Sequence, residues 1–383
     1  MADIGLNQNL SVGSREFHLQ TATILDEGII RTEVFQKGRL LFVENHRYER
    51  RDGKEEKGVE ARLRRIVDQF HQAIIEEIDS LFEISDRVFD ENQPAPHEKI
   101  GLVFLYMHIF DKAEMHFKRA IELQSDRKSS YVYLGRCYYL QKRYQQAIEI
   151  LSQLPEGKSD YPDVHNLMGL IMTEKRNFRK AFDFFKLALN QNSSYIEAFF
   201  NLAEALMQRT VSLLQSQERQ AEVKKSTDFI KIMLKKIHTH GNAEDRQQSS
   251  MISKALLQND MHKALSLIHE HREKNYVRRV PPEVIGYQFY LRLFYSEEEL
   301  SSESLEGYEE KIASALEYNP SYADLWHYLA LIHLMQCRHY FLAGLDNFRD
   351  ATRINPNFEK AVKNLRLVEN DGREFLSLIK TIV

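Results

Sequence analysis

The stretch YVYLGRCYYLQKRYQQAIEILSQL, residues 131–154, decides the fold of this chain. It places the small residue Gly135 in one predicted helix and Ala147 twelve positions later in the next, with the large residues Tyr138 and Leu151 at fixed distances from them. Small residues at such points let two antiparallel helices cross closely, while large residues fill the space to the next pair. The stretch therefore predicts a helical hairpin that stacks on copies of itself.

The same pattern occurs on both sides of this stretch at a period of 34 residues. Its equivalents are Gly101, Phe104, Ala113, Phe117 and Ala120 before it and Gly169, Met172, Ala181, Phe185 and Ala188 after it, and Leu154 completes the middle set. The three copies follow one another without a gap. A repeat of this length is typical of helical arrays in which neighbouring hairpins bury a continuous core.

This pattern resembles that of the tetratricopeptide repeat family, which runs aromatic residue, Leu-Gly, Tyr, then Ala, Phe, Ala and finally Pro. The first half of that pattern is matched by Tyr131, Leu134, Gly135, Tyr138 and Ala147, and the second half by Ala181, Phe185 and Ala188. The resemblance covers residues 94–206 well and 303–368 fairly well. It implies a mainly α fold, in which the hairpins form a right-handed α-α superhelix, or solenoid.

The family pattern is interrupted after residue 206. Gln215 stands where the second helix of a fourth repeat should present alanine, so we expect the first helix to run on to about Arg219. Residues 207–300 are therefore interpreted as degenerate helical repeats.

The pattern returns in residues 303–383, where Pro320 and Pro356 end two further predicted repeats. Gly344 replaces the alanine expected in the second of them. The segment from Phe358 to Val368 is interpreted as the final helix that covers the apolar end of the array.

The chain before the array has a different pattern. Residues 1–14 are interpreted as a flexible N-terminus, and in residues 15–50 apolar side chains alternate with polar ones around Gly28 and Gly38. Period-two alternation and glycine turns predict three short strands in a small antiparallel β meander. Because such a sheet is marginal alone, we expect it to rest on the helical body or on a second copy of itself.

Residues 58–92 carry apolar side chains mostly three or four positions apart, which predicts one long amphipathic helix. Such a helix either docks on its own protein or forms an intermolecular coiled coil, and the near-heptad spacing leaves both open. The charge-rich residues 50–57 are interpreted as a linker.

The composition limits the class of protein. The 383 residues are 43% hydrophobic and 28% charged, and the net charge of −4 provides no global positive field for nucleic acid. The sequence contains no run of eighteen apolar residues, so no integral membrane segment is predicted. Cys137 and Cys337 lie far apart, which suggests two reduced, packed thiols in a reducing compartment and hence a cytoplasmic protein.

The sequence contains no recognisable catalytic motif. It has no Gly-x-Gly, no Gly-x-Ser-x-Gly and no His-Glu-x-x-His. His269 and His271 are two positions apart and so face different sides of a helix. We therefore predict no enzyme activity, no cofactor and no metal.

A basic amphipathic helix is predicted near residue 230. Its lysines, which alternate with apolar residues, are Lys224, Lys225, Lys231, Lys235 and Lys236. Such a helix can touch an anionic membrane or polyanion. A structural helix with a lysine-rich outer face is the favoured interpretation.

The family resemblance implies that the first helix of each hairpin lines a groove for a peptide or helix of a partner protein. The residues expected to face it are Val132, Arg136, Tyr139, Asn166, Leu170, Thr173, Phe200, Asn201, Glu204 and Met207. Asn201 occupies a position where the family often uses asparagine to hold a ligand backbone. Glu98 and Asp163 stand where a clamp for a C-terminal carboxylate would need cationic or amide groups, which disfavours that kind of receptor.

These observations predict a protein-protein interaction adaptor or scaffold, with no nucleic-acid partner. The alternative is a permanent structural subunit of a larger assembly that associates with itself through the N-terminal β module and the long helix. A homo-oligomer is left open.

Overall fold

The computed structural model describes residues 4–48, 56–154, 161–214 and 220–382, and the chain divides into two compact units. Unit 1 combines Met1–Glu91 with Pro281–Val383, and unit 2 is the continuous stretch Asn92–Val280. The predicted fold class, mainly α with a small N-terminal antiparallel sheet, is confirmed.

Unit 1 begins with a four-stranded sheet. Its strands are β1 (Gly5–Val12), β2 (Arg15–Ile24), β3 (Ile29–Gln36) and β4 (Arg39–Arg47), paired antiparallel in that order. The predicted meander is therefore present, but it has a fourth strand in the residues expected to be flexible. The sequence does not predict β1 because its residues, GLNQNLSV, include Gly and two Asn, which are depleted in strands.

The sheet rests on the long helix α1 (Glu56–Phe89). Phe17 of β2 packs edge-on against Phe82 with ring centroids 5.9 Å apart, and the Thr21 hydroxyl lies 2.7 Å from His71 Nδ1. Residues 50–55 of the predicted linker lie outside the described residues.

Unit 2 consists of helices and one π-helix. They are α2 (Pro94–Tyr106), α3 (Phe110–Leu123), α4 (Lys128–Leu140), α5 (Tyr144–Ser152), α6 (Pro162–Glu174), α7 (Phe178–Gln191), α8 (Ile196–Leu214), α9 (Gln220–His240), α10 (Ala243–Leu257), α11 (Met261–Arg272) and the π-helix Glu273–Val277. Residues 215–219, into which the sequence extended the first helix of the fourth repeat, are outside the described ranges. α9 packs along α8 as its partner helix.

The glycine of each first helix packs against a large residue of the second. A Cβ atom added at Gly101 would lie 2.7 Å from the Phe117 ring, and one at Gly169 would lie 2.6 Å from the Phe185 ring. At Gly135 the nearest atoms, of Leu151, would be 3.0 Å away. The predicted helix crossings, 34 residues apart, are confirmed.

The turns between paired helices also repeat every 34 residues. His108, Lys142 and Arg176 have φ angles of 56°, 60° and 55°, in the left-handed region. After Lys142, the Arg143 N–H donates to the Tyr138 carbonyl at 2.9 Å, and equivalent bonds follow the other two residues. A left-handed residue with this bond closes the carboxyl end of a helix. None of the three residues is glycine.

Lys142→Gly should therefore stabilise unit 2 by about 0.5–1 kcal/mol, because a side chain in the left-handed region costs more than glycine loses in chain entropy. Urea unfolding measures the change. Lys186→Gly, at an exposed position inside α7, should instead destabilise by about 1 kcal/mol. Equal losses in both variants would show that the turn does not require a left-handed residue.

The C-terminal part of unit 1 contains α12 (Pro282–Tyr295), α13 (Ser302–Tyr318), α14 (Ala323–Ile354) and α15 (Glu359–Ile382). Tyr308 of α13 donates to Glu77 of α1 at 2.8 Å, and Arg87 of α1 donates to the Tyr295 carbonyl at 2.9 Å. With the sheet on it as well, α1 is packed within its own unit, which is the first of the two interpretations above.

The last predicted repeat is not a hairpin. α14 is one continuous helix of 32 residues, and α15 extends beyond the predicted end at Val368. No residue of α14 adopts the left-handed conformation that closes the first helices of unit 2. The expected packing of both thiols is also wrong for Cys337, which is exposed, whereas burial raises the pKa of the Cys137 thiol to about 12.

Candidate functional site

The ten predicted groove residues lie on the first helices α4, α6 and α8 of unit 2. α4 contacts α6, and α6 contacts α8. Arg136, Tyr139 and Leu170 are half-buried and the other seven residues are buried. We call this surface the first-helix face.

A polar network joins α6 and α8 on this face. Asn201 Nδ2 donates to Asn166 Oδ1 at 2.8 Å, and Asn166 Nδ2 donates to the Tyr195 hydroxyl at 3.3 Å and to Glu197 at 3.4 Å. Asn201 is 1% exposed, and its Oδ1 accepts no hydrogen bond from the described residues. The face therefore retains a buried acceptor suited to an N–H donor. Thr173, by contrast, uses its hydroxyl within α6, where it donates to the Gly169 carbonyl.

Arg136 of α4 donates a hydrogen bond to a main-chain carbonyl of the same unit. Its guanidinium lies 5.4 Å from the centre of the Tyr106 ring and donates to the Tyr276 carbonyl at 3.1 Å. Burial opposes its charge, but Tyr106 and Glu197 outweigh burial and raise the pKa of Arg136. The side chain is thus a charged donor aimed at a main-chain carbonyl.

The residue that Arg136 contacts belongs to residues 261–277, which comprise α11 and the π-helix and which we call the covering segment. Arg272 of this segment forms a buried ion pair with Glu204 of α8, and His269 Nδ1 lies 3.0 Å from the same carboxylate. Burial alone would raise the pKa of Glu204, but the charge of Arg272 and its hydrogen bond dominate and lower it. The chain itself therefore covers the α8 part of the first-helix face.

Aromatic contacts fix the same segment. The Phe200 ring lies 4.7 Å from His271 and 5.6 Å from Tyr276, measured between ring centres. Asp245 of α10 accepts from the Tyr276 hydroxyl at 2.9 Å and lies 3.0 Å from His271 Nε2. Burial would raise the pKa of Asp245, but the bonds from His271 and Tyr276 lower it.

The sequence did not identify this segment as the occupant of the face. His269 and His271 do point to different partners, Glu204 and Asp245, as their spacing requires. In the sequence this segment lies within residues 207–300, which are interpreted only as degenerate helical repeats.

A cleft of about 560 Å³ opens between α8 and α11, the helix of the covering segment. Its lining mixes charged, polar and apolar side chains: Arg176, Phe178, Glu204, Gln208, Val211, Ser212, His262, Leu265, Ser266 and His269. This volume lies within the usual range of ligand-binding clefts in proteins.

The carboxylates that argued against a C-terminal clamp are already compensated. Glu98 accepts from Arg127 at 2.6 Å and from Ser130 at 2.7 Å, and Asp163 accepts from Lys128 at 3.1 Å. This edge of the face presents no free pair of cations among these residues.

Within the described ranges, no group of three or more His, Cys, Asp or Glu side chains is arranged to hold a metal ion. None of the helices described combines the length and apolar character needed to cross a bilayer.

A model of the tetratricopeptide repeat family matches residues 108–171. A comparison with curated proteins finds no match. Similar solved structures include YrrB, described as a TPR protein with an unusual peptide-binding site, at 11% identity and a TM-score of 0.31 over 64% of this chain and 96% of that chain. Pseudomonas aeruginosa PilF is 14% identical over 62% of this chain and 96% of its own, with a TM-score of 0.35. A tetratricopeptide repeat protein of Parabacteroides merdae is 13% identical over 76% and 99%, with a TM-score of 0.32.

Proposed function

Because this chain is a tetratricopeptide repeat protein, with the family's repeats in residues 108–171, we propose that it is a cytoplasmic adaptor that binds a peptide or helix of a partner protein on the first-helix face. It acts by binding and not by catalysis. The observation that carries the proposal is that this face already holds a helical segment, through Arg136, Phe200 and Glu204.

The contacts to the covering segment support this proposal. The Arg136 guanidinium donates to a main-chain carbonyl, and the Phe200 ring contacts aromatic side chains. The Glu204 carboxylate forms an ion pair with a guanidinium. Each is a mode by which proteins bind helices and extended peptides.

The partner is proposed to enter the cleft between α8 and α11, so that it contacts the outer side of the covering segment. The cleft borders Glu204 and offers apolar contact through Val211 and Leu265. Half-buried Tyr139 lies near Arg272 and Glu204, whose charges act on its hydroxyl, so it extends the same surface toward α4.

Filling the cleft should weaken partner binding without disturbing the fold. Ser212 is an exposed cleft residue whose hydroxyl donates to the Gln208 carbonyl four residues earlier. We expect Ser212→Trp to reduce capture of the partner at least tenfold, a loss of about 1.4 kcal/mol. The measurement is affinity isolation from the protein's own cells with chemical cross-linking and quantification of each partner.

Ser250→Trp is the matched control, because Ser250 is also exposed and donates to a carbonyl four residues earlier, on α10. It should leave capture unchanged, and cross-links in the wild type should reach lysines bordering residues 130–208. Capture that survives Ser212→Trp, with links to other surfaces, would exclude the cleft as the binding site.

The second candidate is a permanent structural subunit, favoured by apolar side chains exposed on α14 and α15. Ile354 is 82% exposed and Leu378 is 58% exposed. Because α1 packs within unit 1, self-association would use these helices or the outer edge of β1. Cross-links between copies at α14 and α15 would support this candidate over the adaptor.

A further inference from the structure

α9 presents a stripe of mixed chemistry on its outer side. Lys225, Phe229, Ile232 and Lys236 follow one another at four, three and four residues, so they lie in one line along the helix. Phe229 is 46% exposed and Ile232 is 49% exposed. We call these four residues, with the neighbouring Lys224, Lys231 and Lys235, the lysine stripe.

The opposite side of α9 is fixed in the core of unit 2. Ile230, Leu234 and Ile237 are at most 1% exposed and pack with residues of α8, α10 and α11. The helix is therefore held by its own unit, and the exposed Phe229 and Ile232 are not needed to anchor it.

The positive charge of the stripe is not neutralised by any ion pair among the described residues. None of its five lysines forms an ion pair with a residue in the described ranges, and Asp228 is the only acidic residue between them. The nearest other carboxylate on α9, Glu222, pairs with Arg209 at 3.1 Å. A chain with a net charge of −4 thus has a local positive surface around two exposed apolar side chains.

The residue types distinguish between classes of partner. Protein interfaces are enriched in Arg and depleted in Lys, and specific recognition of carboxylates uses the planar fork of Arg. All five cations here are Lys, which suits a diffuse anionic surface. A nucleic-acid duplex would contact only the lysines, since its phosphate backbone offers no apolar contact to Phe229 and Ile232.

We propose that the lysine stripe docks this protein on an anionic phospholipid surface. Phe229 and Ile232 enter the boundary between headgroups and acyl chains, and the five lysines lie at the level of the headgroup phosphates and carboxylates. From Lys225 to Lys236 the stripe is about 16 Å long at a rise of 1.5 Å per residue. It can therefore contact the membrane along its whole length if α9 lies parallel to the surface. This inference does not depend on partner binding at the first-helix face.

Sedimentation of the full chain with vesicles tests the proposal. The chain should bind vesicles of phosphatidylcholine with phosphatidylserine, should not bind phosphatidylcholine alone, and should be released as ionic strength rises. Lys231→Glu with Lys235→Glu should weaken binding at least 25-fold, because each lysine near an anionic leaflet contributes roughly fivefold. Phe229→Ser should weaken binding without changing its dependence on salt.

Lys180→Glu with Lys186→Glu is the control, since both lysines are exposed on α7 and the change in net charge is the same. It should retain binding to within about twofold of the wild type. Circular dichroism and melting should show that every variant remains folded.

Two results would overturn the proposal. If the α7 control lost as much vesicle binding as Lys231→Glu with Lys235→Glu, the loss would be explained by the change in net charge and not by the stripe. Failure of the wild type to bind phosphatidylserine vesicles, with binding to an acidic peptide or an oligonucleotide that depends on Lys231 and Lys235, would assign the stripe to a protein or nucleic acid instead.

Discussion

Arg272→Met should lower the free energy of unfolding by about 3–5 kcal/mol, the largest effect that we expect from one substitution. The change leaves the Glu204 carboxylate, which is 3% exposed, without the guanidinium that neutralises it. Methionine keeps much of the length and volume of the side chain, so the loss reports the charge and not a cavity. Urea unfolding at neutral pH measures it.

The sign of the pH dependence separates this explanation from a packing defect. In the wild type the pKa of Glu204 lies below its usual range because of Arg272, so this stabilisation is present near neutral pH and is lost as the pH falls through the folded-state pKa. In Arg272→Met burial dominates and raises that pKa. The folded variant then binds more protons than the unfolded chain, and its stability should rise from about pH 7 to about pH 5.

Two controls accompany this measurement. Arg209→Met removes the partner of Glu222 from an exposed ion pair and should cost at most about 1 kcal/mol. Arg272→Met with Glu204→Gln removes both buried charges and should recover part of the loss. If Arg272→Met cost no more than Arg209→Met, the pair would not hold the covering segment in place.

Gly135→Trp should lower the free energy of unfolding by about 3 kcal/mol, at the upper end of the cost of overpacking a core. A single Cβ atom at this position would already lie 3.0 Å from Leu151, and the indole must displace that side chain and separate α4 from α5. The melting temperature and the helical signal in circular dichroism should both fall.

Gly344→Trp, in α14, is the matched control because a Cβ added there would have no side chain or other segment within 4 Å apart from its immediate chain neighbours. It should leave the melting temperature nearly unchanged. A fully stable Gly135→Trp variant would contradict the close crossing of α4 and α5, and with it the repeat register.

The repeats could be predicted from the sequence because their geometry is local. Gly135 and Leu151 are only sixteen positions apart, and the constraint that joins them, a close crossing, selects residue size at each position. The same reasoning failed at α14. The sizes and spacing of its residues resemble the family pattern, but none of them adopts the left-handed conformation that would end a first helix. The left-handed residues of the three repeats are His, Lys and Arg, and these residue types do not mark a left-handed turn in a sequence as glycine does.

The covering segment could not be predicted because its contacts are long-range. Glu204 and Arg272 are 68 residues apart, and one sequence does not indicate which of many acidic and basic residues will pair in the interior. Of the ten expected face residues, Arg136, Phe200 and Glu204 meet this segment directly. Their binding to a partner stays a prediction.

The division of unit 1 between the two ends of the chain has a consequence for synthesis. Unit 2 is continuous and can fold as soon as residue 280 has left the ribosome, whereas α1 waits for α12 and α13. At about 5–20 residues per second, the stretch that separates them takes on the order of ten to forty seconds to make. During that interval α1 lacks the helices that later pack against it, and Glu77 lacks the Tyr308 hydroxyl that donates to its carboxylate. The sheet and α1 are thus exposed to misassembly until residues 281–383 complete the unit that residues 1–91 begin.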